Sequence, residues 1–421
     1  MRSPHLLLAC ALVLAPIAGV PLSATETNTP TASGSGTVSP GTIKRPINNS
    51  VSHLAINSTQ INETGIETVT LDVSGAVAFD GSTFRREQRF ARFQAAQKNA
   101  SDPQEVVDSE LTWAENRTDK LRTRQREAIE NYNDGTLSAQ AFLRELAAIS
   151  AEANQLSVFV EDVGKNSDRS LYIKSEIDPL TGTVQSIIGS ALQGDSGAPN
   201  RFFVQTSEQG GVVLATVNDG QYIREVYLPE VRDAPTDNRS YSYLDALNVL
   251  NKSYISIDAF TNDVGQIKTH PDHHRFILSP PYGSVEIRSF VDRSSGEIFY
   301  ERQNLSISDK RTIHGPQNTS GPFTLETNTT YTGGYMIVRV NDPETDAEPN
   351  GTITVDGETV GTTEDGELHM LQPPNGSTIN ATVDGETVSV TVGKPMGPPK
   401  SGLSVREEGQ NKWQQLGNIL F

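Results

Sequence analysis

Among the 421 residues there is one cysteine, Cys10, and it lies inside the apolar run at the N-terminus. If that run is removed as a leader, the mature chain has no thiol. Disulfides, a thiolate nucleophile and cysteine metal sites are then excluded. An exported protein without disulfides takes its stability from burial or from its solvent. Positive charge is also in short supply. Lys plus Arg number 34 against 52 Asp plus Glu, giving a net charge of −18 and an isoelectric point near 4.8. That imbalance opposes nucleic acid and anionic membranes as general partners, since both are repelled. No apolar run of about 18 residues follows the N-terminal one, so no membrane span is expected after it. The phosphate-loop pattern Gly-x-x-x-x-Gly-Lys-Ser/Thr, the Gly-x-Ser-x-Gly elbow and His-Glu-x-x-His are all missing.

The remaining residues point outward from the cell. The stretch MRSPHLLLACALVLAPIAGVPLSA carries Arg2, an apolar run from Leu6 to Val20 and small residues up to Ala24. It has the form of a signal peptide, residues 1–24, and predicts a secreted or cell-surface protein. Cys10 stands too early in the run to be a lipidation site. Thirteen Asn-x-Ser/Thr sequons follow, at Asn48, Asn57, Asn62, Asn99, Asn116, Asn238, Asn251, Asn304, Asn318, Asn328, Asn350, Asn375 and Asn380. With the leader, they predict a glycoprotein. The scattered carboxylates suit a salt-rich solvent, where repulsion is screened within a few ångströms.

Length alone predicts two or three domains, and the pattern of residues divides them. Residues 25–65, rich in Ser, Thr, Gly and Asn, read as a spacer. Residues 66–166 read as a helical hairpin region. A short strand is expected within Thr68–Phe79, then an arginine- and glutamine-rich helix over Thr83–Lys98. Asp102-Pro103 supplies a cap and a first-turn proline for a second helix. Its seam runs through Val107, Leu111, Ala114, Leu121 and Ala128, with Thr118 and Gln125 between. Asn133-Asp-Gly135 ends it. A third helix then shows a heptad seam at Phe142, Leu146, Ile149, Ala153, Leu156, Val160 and Val163, facing one partner.

Residues 167–330 turn to period-two patterns, with strands at Phe202–Thr206 and Val212–Val217 and a helix over 240–251. A hairpin joins 284–291 to 297–303 across Asp292–Gly296. This is an α+β domain with an antiparallel sheet. Residues 331–393 read as a small β-sandwich, in which VDGETV occurs twice, at 355–360 and 383–388. An Asp-Gly after a β-branched run is a hairpin signal. Residues 394–421 read as a linker and polar tail. The predicted fold class is α+β multidomain: helical hairpin, antiparallel middle domain and C-terminal sandwich.

VDGETVGTTEDGEL resembles the small β-sandwich modules of the PEGA and carboxypeptidase-regulatory-like type, and this implies an accessory module without an active site. The order of leader, spacer, helices, α+β unit and sandwich resembles an uncharacterised family of exported proteins of halophilic archaea. GQYIREVYLP and SVEIRSFVDRSSGEIFYERQ are the blocks that carry the likeness, and they imply localisation rather than activity.

Three clusters bear on chemistry. GDSGAP at 194–199 has the surroundings of a serine-protease nucleophile at Ser196. The mechanism needs a histidine and an aspartate held in a preceding barrel, and only His5 and His53 precede it; an exposed turn explains the string. THPDHH at 269–274 offers His270, Asp272, His273 and His274 as ligands for a divalent metal, with His314 or His369 as remote contributors. Its proline places it in a loop. Glu297 and Glu301 form an acidic pair of the kind found in glycosidases, with nothing beside them to mark a sugar cleft. No catalytic residue and no bound cofactor is predicted, the divalent metal apart. The first functional reading is a non-enzymatic extracytoplasmic glycoprotein acting on other envelope or surface proteins or glycans. The alternative is a metal-binding protein or metal-dependent hydrolase at 270–274.

Overall fold

The computed structural model describes residues 53–165, 167–232, 241–253, 264–269, 273–278, 285–308 and 312–393. The leader, most of the spacer, the residues at 270–272 and the tail at 394–421 lie outside the described residues. Those described form an α+β structure with seven α-helices and three antiparallel sheets.

The first ordered segment is earlier than the pattern suggested. Residues 53–56 are buried, and β1 (Ile61–Thr68) pairs antiparallel with β2 (Arg201–Ser207). The expected spacer therefore gives way to folded chain by His53. The apolar run that reads as a strand, Thr68–Phe79, is instead divided. Asp72 caps a helix by accepting from the Gly75 N–H at 3.1 Å, and α1 runs Val73–Asn99. A short apolar run does not distinguish strand from helix; here β1 already fills the edge position and the chain turns away from the sheet.

Helix α2 (Pro103–Asn133) starts as read, with Asp102 accepting from Gln104 N at 2.9 Å and Glu105 N at 3.4 Å. It stops at Gly135, whose φ of +70° suits a residue without a side chain. Helix α3 (Ala139–Gly164) is capped by Ser138. Helix α4 (Asp168–Ile177), a 3₁₀ turn (Asp178–Leu180) and α5 (Thr183–Leu192) complete the helical layer.

The seam of α3 serves two partners rather than one. Phe142 and Leu146 pack with Phe202, Val204 and Leu214 of the sheet. Ile149, Ala153, Leu156 and Val160 pack with Phe93 of α1, Leu111 and Leu121 of α2 and Ile173 of α4. Each fully buried large side chain contributes about 2 kcal/mol. Ion pairs between these helices, such as Arg124–Glu145 at 2.7 Å, contribute about 0–1 kcal/mol. The apolar seam holds the layer, and the ion pairs decorate it.

The central sheet continues with β3 (Val212–Asn218), β4 (Gln221–Tyr227), β5 (Val264–Thr269), β6 (His273–Leu278), β7 (Val285–Asp292) and β8 (Ile298–Ser306). Its order is β1-β2-β3-β4-β8-β7-β6-β5, with every neighbouring pair antiparallel. The 285–306 hairpin is as the alternation predicts. Alternation also gives the sheet two cores. Val204, Leu214 and Ile223 face the helices. Phe203, Val213, Tyr222 and Val226 face the other way, towards Leu54, Ile56, Tyr335 and Ile337. Helices α6 (Pro229–Arg232) and α7 (Tyr243–Ser253) lie in the connection after β4.

Two four-stranded sheets close the described chain. One has the order β14-β11-β10-β9, from β9 (Ile313–Ser320), β10 (Phe323–Thr329), β11 (Tyr335–Asn341) and β14 (Glu367–Leu371). The other has the order β13-β12-β15-β16, from β12 (Thr352–Val355), β13 (Glu358–Thr362), β15 (Thr378–Val383) and β16 (Glu386–Thr391). Leu325, Met336, Val338, Ile353, Ile379 and Val390 meet between them as a sandwich core. The sandwich starts at β9, before the expected boundary at 331, because β10 pairs with β11 and buries Leu325. Both VDGETV copies make two-residue turns with positive φ at each centre: 51° and 90° at Asp356-Gly357, 49° and 86° at Asp384-Gly385.

Candidate functional site

The most developed polar site lies on the face of the central sheet away from the helices. Tyr222 and Arg224 are two apart on β4, and Glu301 and Gln303 are two apart on β8, so each pair shares a face. The register sets Arg224 opposite Gln303 and Val226 opposite Glu301. Arg224 is 4 % exposed and Glu301 0 % exposed, with Nη1 3.3 Å from Oε1. Gln303 Nε2 donates to Glu301 Oε1 at 3.1 Å, and Leu54 N–H donates to Oε2 at 3.0 Å. Glu301 thus anchors the N-terminal segment on the sheet across most of the sequence.

Around this pair lies a cleft of about 350 Å³ lined by His53, Phe203, Gln205, Arg224, Tyr331 and Gln372, among others. The His53 ring stacks on Tyr331 with centroids 4.3 Å apart and planes 15° apart. Tyr331 OH donates to Tyr222 OH at 3.2 Å, and Tyr222 OH donates to the Gly333 carbonyl at 2.8 Å. Gly333 has φ +77°, and a Cβ there would come within 2.6 Å of the Phe203 ring, so the backbone approach requires glycine. Burial pushes both phenols upward, Tyr222 well above the usual tyrosine range. They stay neutral, as hydrogen-bonding groups. With Arg224 paired to Glu301, the cleft offers hydroxyls, amides, aromatic faces and the imidazole of His53 stacked on Tyr331. Such a surface orients a ligand.

On the opposite face, Glu225 lies at the start of α5, where the Thr183 N–H donates to Oε1, and Arg302 Nε is 3.3 Å away. Burial outweighs Arg302 and the helix N–H groups, raising the Glu225 carboxyl above its ordinary range. Arg302 also donates to the Thr181 carbonyl at 2.7 Å. This group ties helices to sheet. Nearby, burial pushes Glu230 up to about 7, with the charge of Glu297 adding to the rise. Glu297 is itself raised by burial. The acidic pair suggested by spacing, Glu297 with Glu301, therefore separates in role: Glu301 binds Arg224, whereas Glu297 acts electrostatically on Glu230.

The metal reading places its four residues in a loop, and two of them, His273 and His274, are in a strand. His273 begins β6, is 2 % exposed, and has its ring 5.6 Å from Phe290 and 5.7 Å from Phe299. The period-two pairing of β6 with β7 draws it into the aromatic core. His274 follows it in the strand, opposite Val291; His270 and Asp272 lie outside the described residues. His314 is in β9 and His369 in β14 of the sandwich. Among the described residues no group of three or more His, Cys, Asp or Glu is gathered to hold a metal.

Ser196 is exposed in the turn between α5 and β2. Asp195 Oδ1 accepts from Gly197 N–H at 3.0 Å, Ala198 N–H donates to the Asp195 carbonyl at 3.1 Å, and Gly194 has φ +79°. Asn62, Asn99, Asn116, Asn304, Asn318, Asn350 and Asn375 are exposed, Asn57 and Asn380 half-buried, and Asn328 buried. Asn48, Asn238 and the side chain of Asn251 lie outside the description.

The residues of the cleft were not singled out by motif. Their signal was parity: Arg224 stands in step with Tyr222 and Val226, at a position the sheet buries. A charged residue at such a position calls for a partner. His53 carried no signal, because the spacer around it is polar and aperiodic.

No curated protein and no solved structure matches the chain. Among described helices, none is long and apolar enough to cross a membrane. Residues 1–192 match a domain of unknown function (DUF7096) and residues 202–310 a family of unknown function (DUF7094). Residues 316–390 match an archaeal fibronectin-III type-like domain, and the three matches together support an archaeal protein whose C-terminal part is a fibronectin-III-like β-sandwich.

Proposed function

We propose that this chain is a non-enzymatic extracytoplasmic glycoprotein that serves as an envelope-associated interaction module. The observation that carries the reading is the central cleft. Its buried charge pair is mutually neutralised, its phenols are held neutral by burial, and its lining combines hydroxyls, amides and aromatic faces with the His53 imidazole stacked on Tyr331. Aromatic faces beside neutral hydroxyls and amides suit recognition of a partner. Exposed sequons on the helical layer, the central sheet and the sandwich support the glycoprotein part, and net charge −18 supports a salt-rich exterior. In this reading α2 and α3 form a helical hairpin that presents a second surface, and the sandwich acts as a spacer.

Fractionation of archaeal cells that express the full chain, with glycopeptide mass spectrometry, tests the proposal. Glycans on Asn62, Asn318 or Asn350 in an envelope or secreted fraction are the expected result. An unglycosylated protein confined to the cytoplasm would overturn it. So would a stoichiometric divalent metal in the purified protein that is lost in His270→Ala.

A further inference from the structure

The helical layer holds a concentration of positive charge that contrasts with the acidic chain around it. Arg85, Arg89 and Arg92 lie four and three residues apart on α1, and therefore on one face. Trp113, Arg117 and Lys120 follow the same spacing on α2. The two faces, with α3 beneath, line a groove of about 420 Å³. Glu110 and Glu152 are the acidic residues in its wall, against six cations with Arg86 included.

These cations are not all consumed by the fold. Arg89 Nε is 2.7 Å from Glu110, and its guanidinium lies 3.4 Å from the Trp113 ring centroid. Arg117 pairs with Glu152, and Arg86 pairs with Asp162 at 3.4 Å. Arg85, Arg92 and Lys120 are exposed and make no ion pair with another described residue. The wall also carries the amides of Gln88, Asn116 and Gln155. Unpaired guanidinium and ammonium groups suit sulfate, phosphate or carboxylate. Amides suit hydroxyls.

We propose that this groove binds an anionic saccharide of one or two rings. Arg85, Arg92 and Lys120 hold its sulfate, phosphate or carboxylate groups, and the three amides receive its hydroxyls. The volume falls in the range of small-ligand sites. An extended polyanion such as duplex nucleic acid would run beyond the groove over a chain whose net charge is −18. This inference deepens the interaction-module reading and rests on it for its physiological setting. Binding is measured on the purified chain, so its failure and a failure of localisation are distinguishable.

Titration calorimetry on the full chain tests it, with a disulfated disaccharide, a sugar bisphosphate, an unsulfated uronate disaccharide and neutral sucrose as probes. At least one anionic probe is expected to bind tenfold or more tighter than sucrose, and the strongest identifies which anion the groove takes. Arg85→Glu/Arg92→Glu should weaken it at least tenfold, with the melting temperature unchanged. Lys120→Glu, on the other helix, should weaken it several-fold independently. Anionic probes that bind no better than sucrose, variants that bind like the parent, or a DNA oligonucleotide that outcompetes every saccharide would overturn the proposal. Full glycan occupancy of Asn116 in native protein would overturn it too, since that glycan would fill the groove.

Discussion

The central cleft and the helical groove both contain arginines beside glutamates, yet the two sets do opposite things. Arg224 and Glu301 have side chains 5 % and 0 % exposed, whereas Arg89 and Glu110 are 32 % and 19 % exposed. In the sheet, removing the pair from water is costly, and only mutual contact plus further donors offsets it. The result is a fixed internal joint that holds the segment at Leu54 against β8. On the helices, water solvates the charges whether or not they pair, so a pair contributes little and a neighbouring cation can remain unpaired. Burial converts charge into structure, and exposure leaves it available to a ligand.

The sharpest way to break that contrast is Glu301→Ala. It strips the acceptor from Arg224, Gln303 and the Leu54 N–H together, and should cost about 3–5 kcal/mol in denaturant unfolding. A loss below about 1 kcal/mol would mean that the pair is not desolvated. Replacing both partners, Arg224→Met with Glu301→Leu, should recover the part due to the unpaired Arg224 charge, while the Leu54 N–H and the Gln303 amide still lack their acceptor.

Glu230 sharpens the comparison as a partly buried carboxylate whose Oε2 has no hydrogen-bond partner among the described residues. Its pKa is pushed up to about 7 from an ordinary value of 4.5, by burial first and Glu297 second. The folded state therefore binds a proton that the unfolded state releases, and the folded form loses stability as pH rises between those two values. Glu230→Gln should be nearly silent at pH 4 and should stabilise by roughly 2 kcal/mol at pH 8. Equal melting-temperature shifts at both pH values would refute the assignment.

At the exposed end of the scale, Glu110→Ala should cost less than about 1 kcal/mol, because Arg89 keeps its place over Trp113 and gains water. Smallest of all, Ser196→Ala should change unfolding free energy by less than about 0.5 kcal/mol and leave saccharide binding as it was. Reaction of Ser196 with a phosphonate probe would contradict the turn geometry.

Much of the fold was legible one element at a time. Asp102-Pro103, the stop at Gly135, the 285–306 hairpin and both Asp-Gly turns follow from backbone rules that act within a few residues. The errors fell where local rules are silent. The run Val73–Phe79 suits either a strand or a helix, and the sheet's edge decided between them. His273 sits in a polar hexapeptide and is buried only because β6 pairs with β7. Of the two sites, the groove was the more readable, since its arginines repeat at helical spacing within α1. That spacing alone did not say which face would remain open.

By itself the sequence determined the charge of the molecule, the limit of one thiol at Cys10, the positions of caps and tight turns, and the alternation of each strand, because these depend on residue type and near neighbours. The tertiary structure alone decided that His53 and Leu54 meet Glu301, that the seam of α3 is divided between sheet and helices, and that α1 and α2 bring two cationic faces together. Those outcomes rest on contacts between residues far apart in the chain, where the energy depends on burial and distance, and neither is written in local sequence.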